Sequence, residues 1–412
     1  MSKRNLVTYA WFIPAAFLAD QLLSSFSFLR SSTHRGLGGN DHPSISRNNT
    51  DFPIWLSEYI EWHKKIRSDE NLFQSSNILL VDQGTGGLGD RLKSLPYFLW
   101  LAAKHDRLLM IYWNTQCTIQ EFLQPNTIDW SINVTKYRDD ILLKAVRLNR
   151  VGDNNDYFQH LVDDAEMEQH KSERVLQMFG NHQTLTKGLA MVVRASNNDK
   201  RIFEYAFANL FRLANQVQEL LEKTMKEIGL DDQEYIGVHL RARYPSISPV
   251  FTAGGENIDS VGIKNATKEV KDELMKLSGH AIQCTRMAHG GSNQFVYFAS
   301  DTLLVMEMQH QSDKKVVYLP STQERSHFSH GETSCSAYYP ALIDLWILSQ
   351  AQCIGAGVGG YSMLATMMNG FKCYTFHQFN SMLRECFTEE DNFFIGVDGK
   401  MPECLLSPTL EK

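Results

Sequence analysis

A chain of 412 residues with 43% hydrophobic and 21% charged side chains has enough apolar material to bury more than one core, which argues against a disordered polypeptide. Its formal net charge of -7 and lack of long basic runs argue against a nucleic-acid binder, because phosphate backbones demand concentrated Lys and Arg. Of the seven cysteines, six lie from Cys284 onward; in an oxidising compartment some of them pair, with at least one left over, and otherwise they are buried thiols.

Lys3 and Arg4 precede an apolar run from Leu6 to Ala19, and after Asp20 and Gln21 a second run continues from Leu22 to Leu29. Together the runs reach the roughly 20 residues that span a bilayer, whereas the first run alone has signal-peptide length. An uncleaved anchor is preferred over a signal cut near Ser25 and Ser27, although Asp20 is costly in a membrane. Both readings place the rest of the chain in the secretory pathway, in keeping with glycosylation sequons at Asn48, Asn133 and Asn265. Residues 31–52, rich in Ser, Gly, Asn, His and Arg, read as a flexible stem.

Pro53 to Arg67 reads as a docked helix. Asn77 to Val81 is a short apolar strand; the turn DQGTGGLGDRL, residues 82–92, leads into an apolar helix from Leu92 to about Lys104, and Arg107 to Trp113 is the next strand. That is half of a doubly wound domain. Gly84, Gly86, Gly87 and Gly89 permit positive φ and close backbone approach, and the helix start beyond them offers free N–H groups to an anion. Gly84, Gly86 and Gly89 also fit a dinucleotide fingerprint, but the second strand runs into Asn114 where a ribose-binding acid is required, which weakens a nicotinamide site. A turn needed only for helix–strand packing is the structural alternative.

Residues 115–200 are less legible, whereas Arg201 to Ile228 has a continuous helical stripe and reads as one crossing helix. YIGVHLRAR, residues 235–243, is a buried strand that delivers Arg241 and Arg243 to a sheet edge, where paired guanidiniums suit a phosphate or carboxylate and otherwise face water. A Pro- and Gly-rich loop follows, with Glu256 and Asp259 as its acids, and then a helix from Lys264 to Leu277, a partly helical segment from Gly279 to Asn293 and strands at Phe295 to Ala299 and Val316 to Leu319. His327, His330 and Cys335 lack a fourth ligand at zinc spacing, so Cys335 is better read as a disulfide partner. Tyr339 to Gln350 is a helix carrying Asp344, a strand starts at Cys353, and GAGVGGYSMLATMM, residues 355–368, is a second glycine turn into a helix start. Ser362 there caps the helix or meets a phosphate, and Phe371 to Phe376 is the last strand.

Four segments together resemble the GDP-fucose-dependent fucosyltransferase superfamily of α1,6-, α1,2- and protein O-fucosyltransferases: GTGGLGDRLKSL at 84–95, VHLRAR at 238–243, VYFASD at 296–301 and DLWILSQAQCIGAGVGGYSMLA at 344–365. The resemblance implies an α/β fold of GT-B type, two Rossmann-like doubly wound domains facing across a cleft, preceded here by the membrane or signal helix. The corresponding division is 1–30 anchor or signal, 31–52 stem, 53–228 acceptor-side domain, 229–385 donor-binding domain and 386–412 tail. It implies transfer of fucose from GDP-fucose to a glycan or protein hydroxyl, inverting and without a metal, by a Golgi or endoplasmic reticulum membrane protein with a luminal catalytic domain.

By match, His239 faces the guanine, Arg241 the β-phosphate and Asp344 the nucleobase; Asp301, Gly359, Gly360 and Ser362 complete the donor side. Gly86, Gly87, Gly89, Asp90 and Arg91 lie on the sugar and acceptor side. The chain departs from the α1,6 branch, which has a second arginine and then an acid where Ala242 and Pro249 stand. The catalytic base is therefore unassigned, with Glu256 and Asp259 as candidates beside Arg241. Asp90 stands where many relatives carry Asn or Gln, and Gly359 and Gly360 stand near a usual Ser or Thr, so a catalytically inactive nucleotide-sugar or glycan-binding luminal protein is the alternative.

Overall fold

The computed structural model describes residues 52–82, 87–113, 117–148, 161–180, 187–242, 267–291, 293–320, 334–357, 359–379 and 382–387. The described residues up to Cys386 belong to one compact unit. The apolar run Leu6 to Leu29, the stem, the sequon at Asn48, Arg243, Glu256, Asp259, His327 and His330 lie outside the described residues. Among the described residues, no helix is long and apolar enough to cross a membrane.

The chain is mixed α/β with parallel sheets. The first sheet has the order β2-β1-β5-β4, from β1 (Ile78–Asp82), β2 (Leu108–Tyr112), β4 (Val146–Arg147) and β5 (Val175–Met178). Its pairs are all parallel, with Ile78 opposite both Leu108 and Val175. Every residue of β1 is buried because a parallel strand is covered on both faces, and this is why Ile78 to Val81 reads as an unbroken apolar run. Helix α1 (Ile54–Ser68) covers the β2 edge: the Tyr59 hydroxyl donates to the Arg107 carbonyl at 3.1 Å and accepts from the Leu109 N–H at 2.9 Å.

The turn after β1 leads into two helices, α2 (Leu88–Leu92) and α3 (Leu95–Lys104), where the sequence predicts one. The predicted single helix from Arg201 to Ile228 is likewise α4 (Ile202–Leu210) and α5 (Asn215–Glu227), separated by β6 (Phe211–Leu213). The interruption has a tertiary cause. Phe211 to Leu213 pairs antiparallel with β3 (Leu123–Pro125), a partner no local pattern reveals.

The second sheet has the order β12-β11-β10-β7-β8-β9. Its strands are β7 (Tyr235–Leu240), β8 (Phe295–Ser300), β9 (Val316–Val317), β10 (Ile354–Ala356), β11 (Tyr374–Phe379) and β12 (Met382–Phe387). β12 is absent from the sequence reading. Helix α6 (Lys268–Ala288) runs through the segment read as partly loop, because Leu274, Leu277, Ala281 and Ile282 continue one buried stripe past Gly279. Helices α7 (Leu303–Ser312) and α8 (Tyr339–Gln350) follow, and α9 (Gly360–Met368) springs from the second glycine turn.

β7 lies between β8 and β10, parallel to both. From this central pair the chain winds outward in opposite directions, through β8 and β9 on one side and β11 and β12 on the other. Such a switch point opens a crevice at the carboxyl ends of the strands, and here those ends are Leu240 and Ala356.

Disulfides among the described residues include Cys117–Cys335 across 218 residues and Cys353–Cys373 across 20, beside β10 and β11. Cys284 is disulfide-bonded as well. The expectation that Cys335 is a disulfide partner holds.

Candidate functional site

The site is built outward from β7. All six of its residues are buried, and a Cβ on Gly237 would stand 2.9 Å from the Leu348 side chain, so glycine there lets α8 pack against the strand. His239 is the fifth residue, opposite Ala299 of β8. Just past the strand, the Asp301 carboxylate accepts the Ala242 N–H at 2.7 Å and thereby fixes the backbone that carries Arg241. The structure thus gives Asp301, grouped by its motif with the donor side, a part in holding the strand end.

Arg241 leaves the sheet and lies on the second glycine turn. A Cβ on Gly359 would stand 2.7 Å from the Arg241 Nη1, and Gly359 has φ +103°, so both the space and the conformation at this N-cap exclude a side chain. Arg241 therefore lies directly against the amino end of α9, where the unsatisfied N–H groups of the first turn carry partial positive charge. Ser362 is fully buried, and its hydroxyl donates to the Gly357 carbonyl at 3.0 Å. It holds the turn in shape.

His239 is only 6% exposed, its ring sits 5.0 Å from that of Tyr361 in the first turn of α9, and its Nδ1 has no hydrogen-bond partner. A buried polar atom left unpaired costs roughly 1–3 kcal/mol, which makes this nitrogen a candidate for a ligand contact. Burial first, then the charges of Arg241 and His377, push its pKa down to about 3, so His239 is neutral at any working pH. Its main-chain carbonyl accepts from His377 Nε2 at 3.0 Å, which fixes the His377 tautomer. His377, on β11, is fully buried and held neutral by burial, its pKa pushed down to about 4.

The first glycine turn meets the second. A Cβ on Gly89 would stand 2.6 Å from the Gly360 carbonyl carbon and oxygen, so the starts of α2 and α9 touch backbone to backbone. A Cβ on Gly360 would in turn run into the Lys93 ammonium and stand 3.1 Å from Asp90 Oδ1. Lys93 is 9% exposed, pairs with the exposed Asp90 carboxylate at 3.3 Å, and has its pKa lowered chiefly by burial. The glycines described in the first turn do not use positive φ, as the sequence reading allowed; Gly87 is an extended N-cap and Gly89 is needed for close approach. Gly86 lies outside the described residues.

Two further sequence candidates sit in the interior. Arg91 is 3% exposed with its guanidinium 4.9 Å over the Trp113 ring, a cation–π contact within the first half. Asp344, on α8, is buried and accepts a hydrogen bond from the Tyr297 hydroxyl of β8. Arg241, His239, Gly359, Gly360, Gly89 and Asp90 are brought together at the amino end of α9. Lys93, His377 and Tyr361 were not singled out by sequence. Lys93 alone had a usable signal, its place three residues after Asp90 at the end of the glycine motif.

No family model and no curated protein matches the chain. Among solved structures, Arabidopsis thaliana FUT1, crystallised as a mutant in complex with GDP, aligns over 82% of this chain and 80% of its own with a TM-score of 0.53 at 12% identity. The NodZ α-1,6-fucosyltransferase soaked with GDP-fucose aligns over 76% of this chain and 99% of its own, with a TM-score of 0.45 at 12% identity. The assignment of the fold rests on the first. The chain therefore shares the fold of that FUT1 structure, at an identity that says nothing of substrate.

Proposed function

We infer that the protein is a glycosyltransferase that takes fucose from GDP-fucose and passes it to a hydroxyl of a glycan or glycoprotein, with inversion and without a metal. The observation that carries this reading is the joint placement of Arg241 against Gly359 at the start of α9 and of the buried, unpartnered His239 Nδ1 beside Tyr361. One cation and one neutral heteroaromatic group on a helix amino terminus match a nucleoside diphosphate, the anion for the former and the base for the latter. The GDP in the crystal of the FUT1 mutant is in keeping with it.

The chemistry follows from charge. As the bond between fucose and the β-phosphate breaks, negative charge grows on the departing phosphate oxygen, and the Arg241 guanidinium with the α9 N–H groups stabilises it as it forms. A fixed cation thus takes the part of both metal and general acid. The acceptor hydroxyl attacks the face of the sugar opposite GDP, which inverts the anomeric centre, and a carboxylate takes its proton. Glu256 and Asp259 keep that assignment as proposals. A luminal location behind the Leu6 to Leu29 segment belongs to the same reading, and the disulfides Cys117–Cys335 and Cys353–Cys373 suit an oxidising compartment.

The test is thermal stabilisation by GDP and GDP-fucose, set against UDP-sugars and NAD, followed by turnover of Arg241→Ala with EDTA present. GDP is expected to raise Tm, and Arg241→Ala to keep the apo Tm while losing transfer. No stabilisation by any guanine nucleotide would sink the reading, and binding without turnover on any acceptor would favour the inactive binding protein.

A further inference from the structure

The least explained group in the structure is Lys93. Its side chain is nearly buried, yet its ion-pair partner is a carboxylate with 61% of its side chain exposed, at 3.3 Å. Water screens such a partner, so it repays little of the cost of taking an ammonium out of solvent. The place is unfavourable for a second reason. The ammonium packs on Gly360, the first residue of α9, so it is held at the positive end of a helix dipole. Arg241 occupies the adjoining Gly359. Lys93 and Arg241 thus meet one helix amino terminus at adjoining glycines, and burial already drives the Lys93 pKa down.

An anion at this helix start would compensate the Lys93 ammonium where Asp90 does so poorly. Gly359 and Gly360 are consecutive, so Arg241 and Lys93 meet neighbouring positions of one turn. His239, buried with Nδ1 unpartnered beside Tyr361, points independently to a ligand at this helix start. Resting on the donor reading above, we propose that Lys93 is a positioning residue that supplies the second fixed cation for the diphosphate of the donor, reaching it from the first glycine motif. Asp90 then orients the ammonium and does not neutralise the site. The proposal also accounts for glycine at 360, since any side chain there would displace the ammonium.

The test uses the full chain and Lys93→Met, which removes the charge and retains a side chain of similar length. Apo Tm and the affinities for GDP, GMP, guanosine and inorganic pyrophosphate are measured calorimetrically. An ordinary pin between α2 and α9 would lower apo Tm and weaken all ligands alike. The positioning role leaves apo Tm unchanged or raised, weakens GDP roughly tenfold to a hundredfold, as for a lost charge-assisted hydrogen bond, and leaves guanosine unchanged. Gly360→Ala, which displaces only the flexible end of Lys93, should reproduce the loss of GDP affinity should Lys93→Met fail to fold. GDP bound equally well by wild type and Lys93→Met overturns the inference and leaves the donor reading intact. Binding of another nucleoside diphosphate with the same dependence on Lys93 upholds the inference and sinks the guanine reading, while a wild-type protein that binds no diphosphate overturns both.

Discussion

Substituting Gly89 by alanine sets two opposed effects against each other at one methyl group. Gly89 is the second residue of the short helix α2, where alanine is intrinsically favoured by up to about 1 kcal/mol. Against this, the new Cβ would stand 2.6 Å from the carbonyl carbon and oxygen of Gly360. Those are main-chain atoms of α9, so no rotamer change relieves the clash and the two helix starts must separate. Overpacking of this kind costs roughly 1–3 kcal/mol, and rigid neighbours put it toward the upper end. The balance is a loss of about 1–2 kcal/mol, or a Tm lower by about 1–3 °C for a chain of this size. Differential scanning calorimetry reads it directly, with Gly360→Ala as the internal control. That control meets first the far end of the Lys93 side chain, which can swing away, so its Tm should fall less. Gly89→Ala at or above the wild-type Tm would mean that helix propensity wins and that α2 and α9 are not in main-chain contact.

Two other outcomes follow from the same structure. Chain entropy assigns about 5 kcal/mol to a cross-link across 218 residues and about 3 kcal/mol to one across 20. Cys335→Ser is therefore expected to lower the denaturant midpoint more than Cys373→Ser does, and the reverse order would refute the reasoning. Acid stability is set in part by imidazoles that the fold keeps neutral, His63 with its pKa pushed down to about 4, His239 to about 3 and His377 to about 4. Unfolded, each takes up a proton near pH 6.5, and folded, none does until about pH 4 or below. Between those values the unfolded chain binds more protons, so stability falls as the pH drops, by up to about 3 kcal/mol per imidazole at the acid end. Urea midpoints from pH 7 to 4 check this, and His377→Gln should flatten the slope by about one proton; an unchanged slope would show that His377 is not held neutral.

The parts of the fold that were legible in the sequence are those whose burial is written in the chain itself. β1, β2, β7 and β8 are parallel strands covered on both faces, so they appear as unbroken apolar runs within a residue or two of their observed limits. α1 and α8 were found by their spacing. What failed was decided by distant partners. The stripe from Phe203 to Met225 is helical in period and yet broken at Phe211 to Leu213, because those backbone groups bond to Leu123 to Pro125. α6 extends past Gly279 because the sheet above it offers a continuous apolar face, which offsets the roughly 1 kcal/mol a glycine costs within a helix.

The site divides along the same line, and the glycines show why. In sequence, the turns at 84–89 and 355–360 look like two equivalent anion cradles, since glycine is demanded equally by a left-handed φ, by a ligand and by a neighbouring backbone. The structure separates these demands. Gly359 meets the first with φ +103° and also makes room for Arg241; Gly89 has no such φ and is glycine because Gly360 stands against it; Gly360 is glycine because the Lys93 ammonium and the Asp90 carboxylate stand where its Cβ would be. The two turns therefore form one locus. The motif-bearing strand YIGVHL brings His239 to it beside Tyr361, and the charge there comes from two motifs more than a hundred residues apart in the chain, Arg241 and Lys93. Neither motif read alone contains that pairing, and a substitution that parts the turns should weaken the anion site even when every side chain on it is kept.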